Sequence, residues 1–311
     1  MDKISKLKKK LDIEFIIAKL MNRLPSNLHS ICRVFNDKRH NHVMNLLNSY
    51  FDRAYLEVRK NAYFSNGNAS DKIWVFWWQG IDSMPDIVKN CYRSLMKFGK
   101  GKVVLITKKN FKEYTNIPNY ILEKVETGEI TLTHFSDIVR FNLLRNHGGL
   151  WVDSTVLFIN EPININVPFY TCSGYYDDTH FFIANGRWTG FLIGGSKNLE
   201  LFIFMDEFFK IYWEENSVLV DYFLIDYALN YAYSRNISNF KDYSIENEKV
   251  NNPHLFDLMK EINEKFNKDK YIEWKRNDYA FKLSYKKKII IEESYFLYEI
   301  MKLLNLDKKV Y

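Results

Sequence analysis

Residues Thr133 to Ile159 read THFSDIVRFNLLRNHGGLWVDSTVLFI, and this stretch decides how the chain is read. Ser136 suits a helix N-cap, Asp137 suits the first helical turn, and His147-Gly148-Gly149 is a stop signal. Asp137 and Arg140 are three residues apart, so on a helix they share a face and can hold one ligand together. The run from Leu150 to Ile159 is apolar and β-branched, as a central strand would be. Within it Asp153 and Thr155 share a side, because strand side chains alternate with period two. A carboxylate in so apolar a strand needs a cation or a cluster of donors to meet it. A structural ion pair with an arginine meets that need as well as a ligand site does.

The same alternation of patterns continues on both sides. Ile73 to Trp78 reads as the first core strand, Pro85 to Phe98 as a helix with Gly99 and Gly101 beyond its end, and Lys102 to Thr107 as a buried second strand. This β-α-β order argues for parallel pairing. Upstream, the chain reads as helices with a loop at Arg23 to Asn27, and Ser65 to Asp71 is the clearest linker. Downstream, Leu199 to Trp213 and Tyr222 to Tyr231 read as apolar helices, with irregular polar sequence from about residue 235, short strands at Phe281 to Tyr285 and Lys288 to Ile291, and a last helix from Glu292 to Leu304.

Two motifs in this order carry a resemblance. S-D-x-x-R followed by G-G-L-W-V-D-S-T, with I-W-V-F-W-W-Q-G at Ile73 to Gly80, resembles glycosyltransferase family 32, especially its capsular polysaccharide synthesis branch. The resemblance covers Ile73 to Ser196. It implies an α/β fold: a GT-A-type, Rossmann-like nucleotide-sugar-binding domain with a mainly parallel central sheet. The expected division is an N-terminal helical segment (1–70), the nucleotide-sugar-binding and catalytic core (71–245) and a C-terminal extension closing the site (246–311).

The resemblance also implies roles. Phe76, Trp77 and Gln79 would meet the base, with Trp77 similar to the stacking tryptophan of related clostridial toxin glucosyltransferases. Asp137 and Arg140 would grip ribose and sugar hydroxyls. Many relatives carry D-x-D where this chain has Asp153 and Thr155, and the capsular branch resembles this chain in having D-[SA]-T. Asp153 with Thr155 would hold Mn²⁺ or Mg²⁺ on the donor diphosphate, and Lys282, in a K-L-S-Y-K segment, would add positive charge. Asp153 and Asp226 are the candidate catalytic carboxylates, although a solvated helix face explains Asp226 and its neighbour Asp221 equally well. Asp177-Asp178 reads as a turn or an acceptor-side pair.

The implied activity is retaining transfer of a hexose such as galactose from a UDP-sugar to a lipid-diphosphate-linked capsular or surface polysaccharide repeat. The rivals are a non-catalytic carbohydrate-binding or scaffold protein with a decayed site, and a transferase that glycosylates proteins.

Composition bounds these readings. At 311 residues, with 47% hydrophobic and 26% charged side chains, the chain has the make-up of a globular protein. Aromatic content of 17% is high and suits sugar rings as well as core filling. Three scattered cysteines make neither a zinc site nor a disulfide framework. The absence of a secretory signal and of a long apolar span points to the cytoplasm. Lys3, Lys6 and Lys8 to Lys10, followed by Leu11, Ile13, Phe15, Ile16, Leu20 and Met21, suggest a peripheral contact with the inner membrane face. Lys286 to Lys288 and Lys308-Lys309 add charge near the other end, but no basic stripe or module indicates nucleic acid.

Overall fold

Two long helices open the chain, α1 (Lys3–Met21) and α2 (His29–Asn61). They begin a computed structural model that describes residues 3–61, 70–161, 167–248 and 252–306. Strand β1 (Ile73–Phe76), helix α3 (Asp86–Gly99) and strand β2 (Val103–Ile106) follow, then α4 (Phe111–Tyr114), α5 (Asn119–Glu126) and α6 (Leu132–His147). Next come β3 (Gly149–Val152), β4 (Val156–Phe158), β5 (Phe169–Thr171) and β6 (Leu192–Gly195). The remainder is α7 (Glu200–Glu215), α8 (Leu224–Ser234), α9 (Phe240–Asn247), α10 (Asp257–Glu261), α11 (Lys268–Asn277), β7 (Ala280–Lys282) and α12 (Phe296–Leu303). Most of the expected linker, 65–69, and the Lys308-Lys309 run lie outside the described residues.

The architecture corrects the expected fold class. The chain is mostly α-helical, 56% helix against 10% strand, and its sheet is small and mixed, not a mainly parallel GT-A-type, Rossmann-like one. Strand order is β2-β1-β3-β6-β5, with β4 and β7 forming a separate pair. β1 is parallel to β2 and to β3, as the β-α-β order requires, but the β3–β6, β5–β6 and β4–β7 pairings are all antiparallel.

Two local causes explain the difference. The apolar run Leu150–Ile159 is not one strand. It breaks at a turn in which Val156 N–H donates to the Asp153 carbonyl, and β4 then leaves for a different sheet. The return through β6 is antiparallel, and glycines let the two backbones approach closely. A Cβ on Gly194 would lie 2.3 Å from the Gly149 carbonyl oxygen, so only glycine allows β6 to lie this close to β3; on the other side of β3, a Cβ on Gly149 would lie 2.4 Å from the carbonyl oxygen of Lys72, just before β1.

Helix α7 is the centre of the helical layer, packed between α2 and α6. Phe202, Phe204, Phe208, Phe209, Tyr212 and Trp213 on it are fully buried, each such ring stabilising the fold by roughly 2–3 kcal/mol. Two polar ties from this layer set the site. Trp213 Nε1 donates to His134 Nε2 at 2.9 Å, which orients the first turn of α6. Arg39 of α2 pairs with Asp221 at 3.0 Å, and His40 Nδ1 lies 2.9 Å from the Tyr227 hydroxyl, which anchors α8 and the loop before it. Asp221 is therefore structural: it is buried, paired with Arg39, and accepts from Phe223 N–H at 2.8 Å. Asp177 closes a turn by accepting from Thr179 and Phe181 N–H.

Candidate functional site

The cleft opens where the parallel strands β1 and β3 end and the chain switches sheets. Carboxyl ends of adjacent parallel strands leave such a crevice because the following segments diverge. A cavity of about 390 Å³ is walled by Phe76, Trp77, Trp78, Trp151 and Tyr285, with Gln79, Asp153 and Thr155 also on its lining. A neighbouring cavity of about 240 Å³ is bordered by Asp137, Arg140, Asp153, Gly190, Tyr222 and Asp226. Thr133, Ser136 and Asp153 border both, so they form one bipartite cleft of a size suited to a small ligand.

Each wall has a local reason. Trp77 is half-buried, its indole N–H donating to Ser83 Oγ at 3.0 Å and its ring edge-on to Tyr285 at 5.9 Å. Trp74, by contrast, is core, with its N–H bound to the Gly148 carbonyl at 2.8 Å. Helix α6 starts at Leu132 with Thr131 as its cap, not at Ser136, so Asp137 and Arg140 lie in its second and third turns. There Arg140 Nη1 forms an ion pair with Asp137 Oδ1 at 3.1 Å, and Nη2 donates to Asp153 Oδ1 at 3.1 Å. Its guanidinium also stacks over Trp151, 4.9 Å from the ring centroid.

Asp153 is held by three donors. Besides Arg140, Trp151 Nε1–H donates to Oδ1 at 2.8 Å and Lys282 Nζ donates to Oδ2 at 2.8 Å. Lys282 reaches it because β7 pairs with β4 in a register that puts Lys282 opposite Val156. The same ammonium donates to Thr155 Oγ1 at 2.9 Å and sits over the Phe191 ring. Burial alone would push the Asp153 carboxyl up, but Lys282 and Arg140 outweigh it and hold it below the usual range. Asp226 is opposite in sense: burial pushes it up to about 6 against the Trp188 N–H that donates to it at 2.9 Å, with Asp137 adding repulsion.

A family model described as capsular polysaccharide synthesis protein matches residues 26–301. The chain belongs to that family. No curated protein matches it. Family membership points to a part in making capsular or surface polysaccharide, and the matched span takes in every element that borders the cleft, from β1 to β7. Helix α1 falls outside it.

The site of this capsular polysaccharide synthesis protein corrects the expected cofactor. Among the described residues no group of three or more His, Cys, Asp or Glu side chains is placed to hold a metal ion. Asp153 and Thr155 do face one partner, but that partner is the Lys282 ammonium, which donates to both where Mn²⁺ or Mg²⁺ was expected. Both Asp153 oxygens are engaged, and a hydroxyl already accepting from an ammonium is a weak metal ligand. The donor set does not fit a divalent cation.

The structure gathers Phe76, Trp77, Gln79, Asp137, Arg140, Asp153, Thr155, Asp226 and Lys282 around this cleft, and leaves Asp221 outside it. Sequence reasoning missed Trp151, Tyr222 and His134. Trp151 had a signal: it is two residues before Asp153 and so on the same side of the strand.

Asp226 gives a pH prediction. Its folded pKa, about 6, lies above the ordinary aspartate value of 3.8, so the ionised form is disfavoured in the fold. The stability linked to this group is present below about pH 4 and is lost as pH rises through about 6. Asp226→Asn keeps an acceptor for Trp188 and should therefore raise Tm at pH 7, by roughly 2 kcal/mol or about 3 °C. The gain should vanish near pH 4, and an equal shift at both pH values would show that titration of Asp226 is not its source.

Proposed function

We propose that the cleft binds a carbohydrate of surface polysaccharide synthesis, without a metal. The observation that carries this reading is an aromatic wall facing carboxylates whose charges are already matched. Trp77, Trp78 and Tyr285 offer apolar aromatic surface to the C–H face of a sugar ring, while Asp137, Asp153 and Asp226 accept from hydroxyls. Arg140 and Lys282 neutralise Asp137 and Asp153 in place, so the cleft presents no surplus positive charge to a diphosphate. A carbohydrate-binding or scaffold component is accordingly the better supported role.

A second reading has its own support in Lys282. If a nucleoside diphosphate took the ammonium from Asp153, the aromatic wall beside it would receive the base and the second cavity the sugar. That is hexose transfer from a UDP-sugar to a lipid-linked acceptor with the cationic pair standing in for a metal, in the manner of a family 32 transferase.

One panel separates the two. The protein is titrated calorimetrically, in EDTA, with repeat-unit oligosaccharides, UDP, GDP and UDP-hexoses, and donor hydrolysis is followed in parallel. Oligosaccharide binding with no nucleotide heat and no hydrolysis is the expected result. Tight UDP binding with turnover of a UDP-hexose would replace the first reading by the second.

A further inference from the structure

The face of α1 turned away from the body of the protein is apolar where a solvent-facing helix would be polar. Ile4, Leu11 and Ala18 are buried against the rest of the chain. On the opposite face of the 3.6-residue turn lie Ile13, Ile16, Ile17 and Leu20, exposed by 49%, 56%, 39% and 58%. The helix is thus apolar on two sides, and only one of them has a partner. Helix α2 folds back beside α1, with Cys32 Sγ donating to the Met21 carbonyl and His42 beside Glu14. Just past the turn it adds Ile31 and Val34, both more than half exposed. Seven of the sixteen exposed large apolar side chains among the described residues fall between positions 13 and 34, so this is one patch and not scatter.

Charge says what covers it. Lys6 and Lys9 extend the same outward face of α1 toward its start, and Lys10, Lys19, Arg23, Arg33 and Lys38 are exposed around the patch. The acidic groups nearby are largely engaged: Asp12 pairs with Lys8, and Glu14 with Lys10 and His42. A second copy of the chain would bring two such basic collars together against repulsion.

We propose that the α1–α2 hairpin is a docking surface for an anionic lipid bilayer: Ile13, Ile16, Ile17 and Leu20, with Ile31 and Val34, enter the headgroup boundary while the lysines and arginines meet acidic headgroups. The sequence pattern alone assigned Leu11 and Phe15 to this role. The structure buries Leu11 and turns Phe15 toward Phe181 and Phe223, and it brings in residues of α2 instead.

The test uses the whole chain and co-sedimentation with vesicles of phosphatidylcholine, alone or mixed with phosphatidylglycerol. The unaltered protein should pellet with the mixed vesicles and be released as salt passes about 0.15 M. Ile16→Glu/Leu20→Glu changes only exposed positions, so Tm should hold while partitioning falls about tenfold for each side chain. Lys6→Gln/Lys9→Gln should cost about fivefold for each lysine at low salt and little at high salt. Failure of the unaltered protein to pellet, or unchanged pelleting of Ile16→Glu/Leu20→Glu, would overturn the proposal. So would a dimer on size-exclusion that this double variant disperses without any vesicle binding, which would make the face a contact between copies.

Discussion

Arg140→Ala is expected to lower the melting temperature by about 5–8 °C and to abolish carbohydrate binding. Arg140 is nearly inaccessible to solvent, with 4% of its side chain exposed, and among the described residues it is the one group that pairs with both Asp137 and Asp153. Removing it leaves two carboxylates in the cleft without the cation they share, with Lys282 still beside Asp153 and, among the described residues, His134 beside Asp137. Breaking a buried ion pair in this one-sided way costs about 3–5 kcal/mol. For a chain of this length that energy corresponds to the stated shift in Tm. The guanidinium also leaves the face of Trp151, so the aromatic wall loses a packing partner worth about 1–2 kcal/mol. Arg140→Lys keeps the charge but not the fork that reaches both carboxylates, and it should recover less than half of the loss. Thermal unfolding and calorimetry on both variants check this. A Tm within about 1 °C of the unaltered protein for Arg140→Ala would show that the two carboxylates find other partners and that the bridge is not what holds the cleft.

What could be read from the sequence follows physical range. The β1–α3–β2 crossover, the helix that carries Asp137 and Arg140 and the glycine turn after it are local, and periodicity with turn chemistry exposes them. The start of α6 was misplaced because Ser136 looks like a cap, whereas Thr131 is the residue whose hydroxyl accepts from a free first-turn N–H. Strand direction has no local signature, so the antiparallel return through β6 was invisible. So was the break at Asp153, since Val152 and Val156 suit one strand or two. Helices α9 to α11 look irregular in sequence because their residues are polar and weakly patterned. The shared side of Asp153 and Thr155 was legible, but not what they face. Lys282 is brought there by cross-strand register over 129 positions, which one sequence does not display. A short polar motif beside an apolar strand thus suggested a metal, and a distant lysine supplies the charge instead.

Asp153→Asn is expected to convert the cleft from a carbohydrate site into an anion site. The change is nearly isosteric and keeps an oxygen to accept from Trp151, Arg140 or Lys282, but it removes the charge that holds the Lys282 ammonium. Because 28% of the Asp153 side chain remains exposed, the lost ion pairing should cost only about 1–2 kcal/mol, or about 2–3 °C in Tm. Arg140 keeps Asp137 as its partner, so the fold should survive. Removing the carboxylate charge that neutralises Lys282 leaves its ammonium free for a phosphate oxygen. Affinity for UDP should therefore rise at least tenfold in EDTA, while affinity for a neutral oligosaccharide falls by about the same factor. Lys282→Ala in the Asp153→Asn background should erase the gain, which ties it to that ammonium. The opposite pattern, in which Asp153→Asn loses UDP and regains it only with Mn²⁺, would mean that Asp153 serves a cation after all and that its ion pairs yield when ligand arrives. If UDP affinity in EDTA and Tm were both unchanged, Lys282 would be held by Thr155 and the Phe191 ring alone, and the charge-matched description of the cleft would fail.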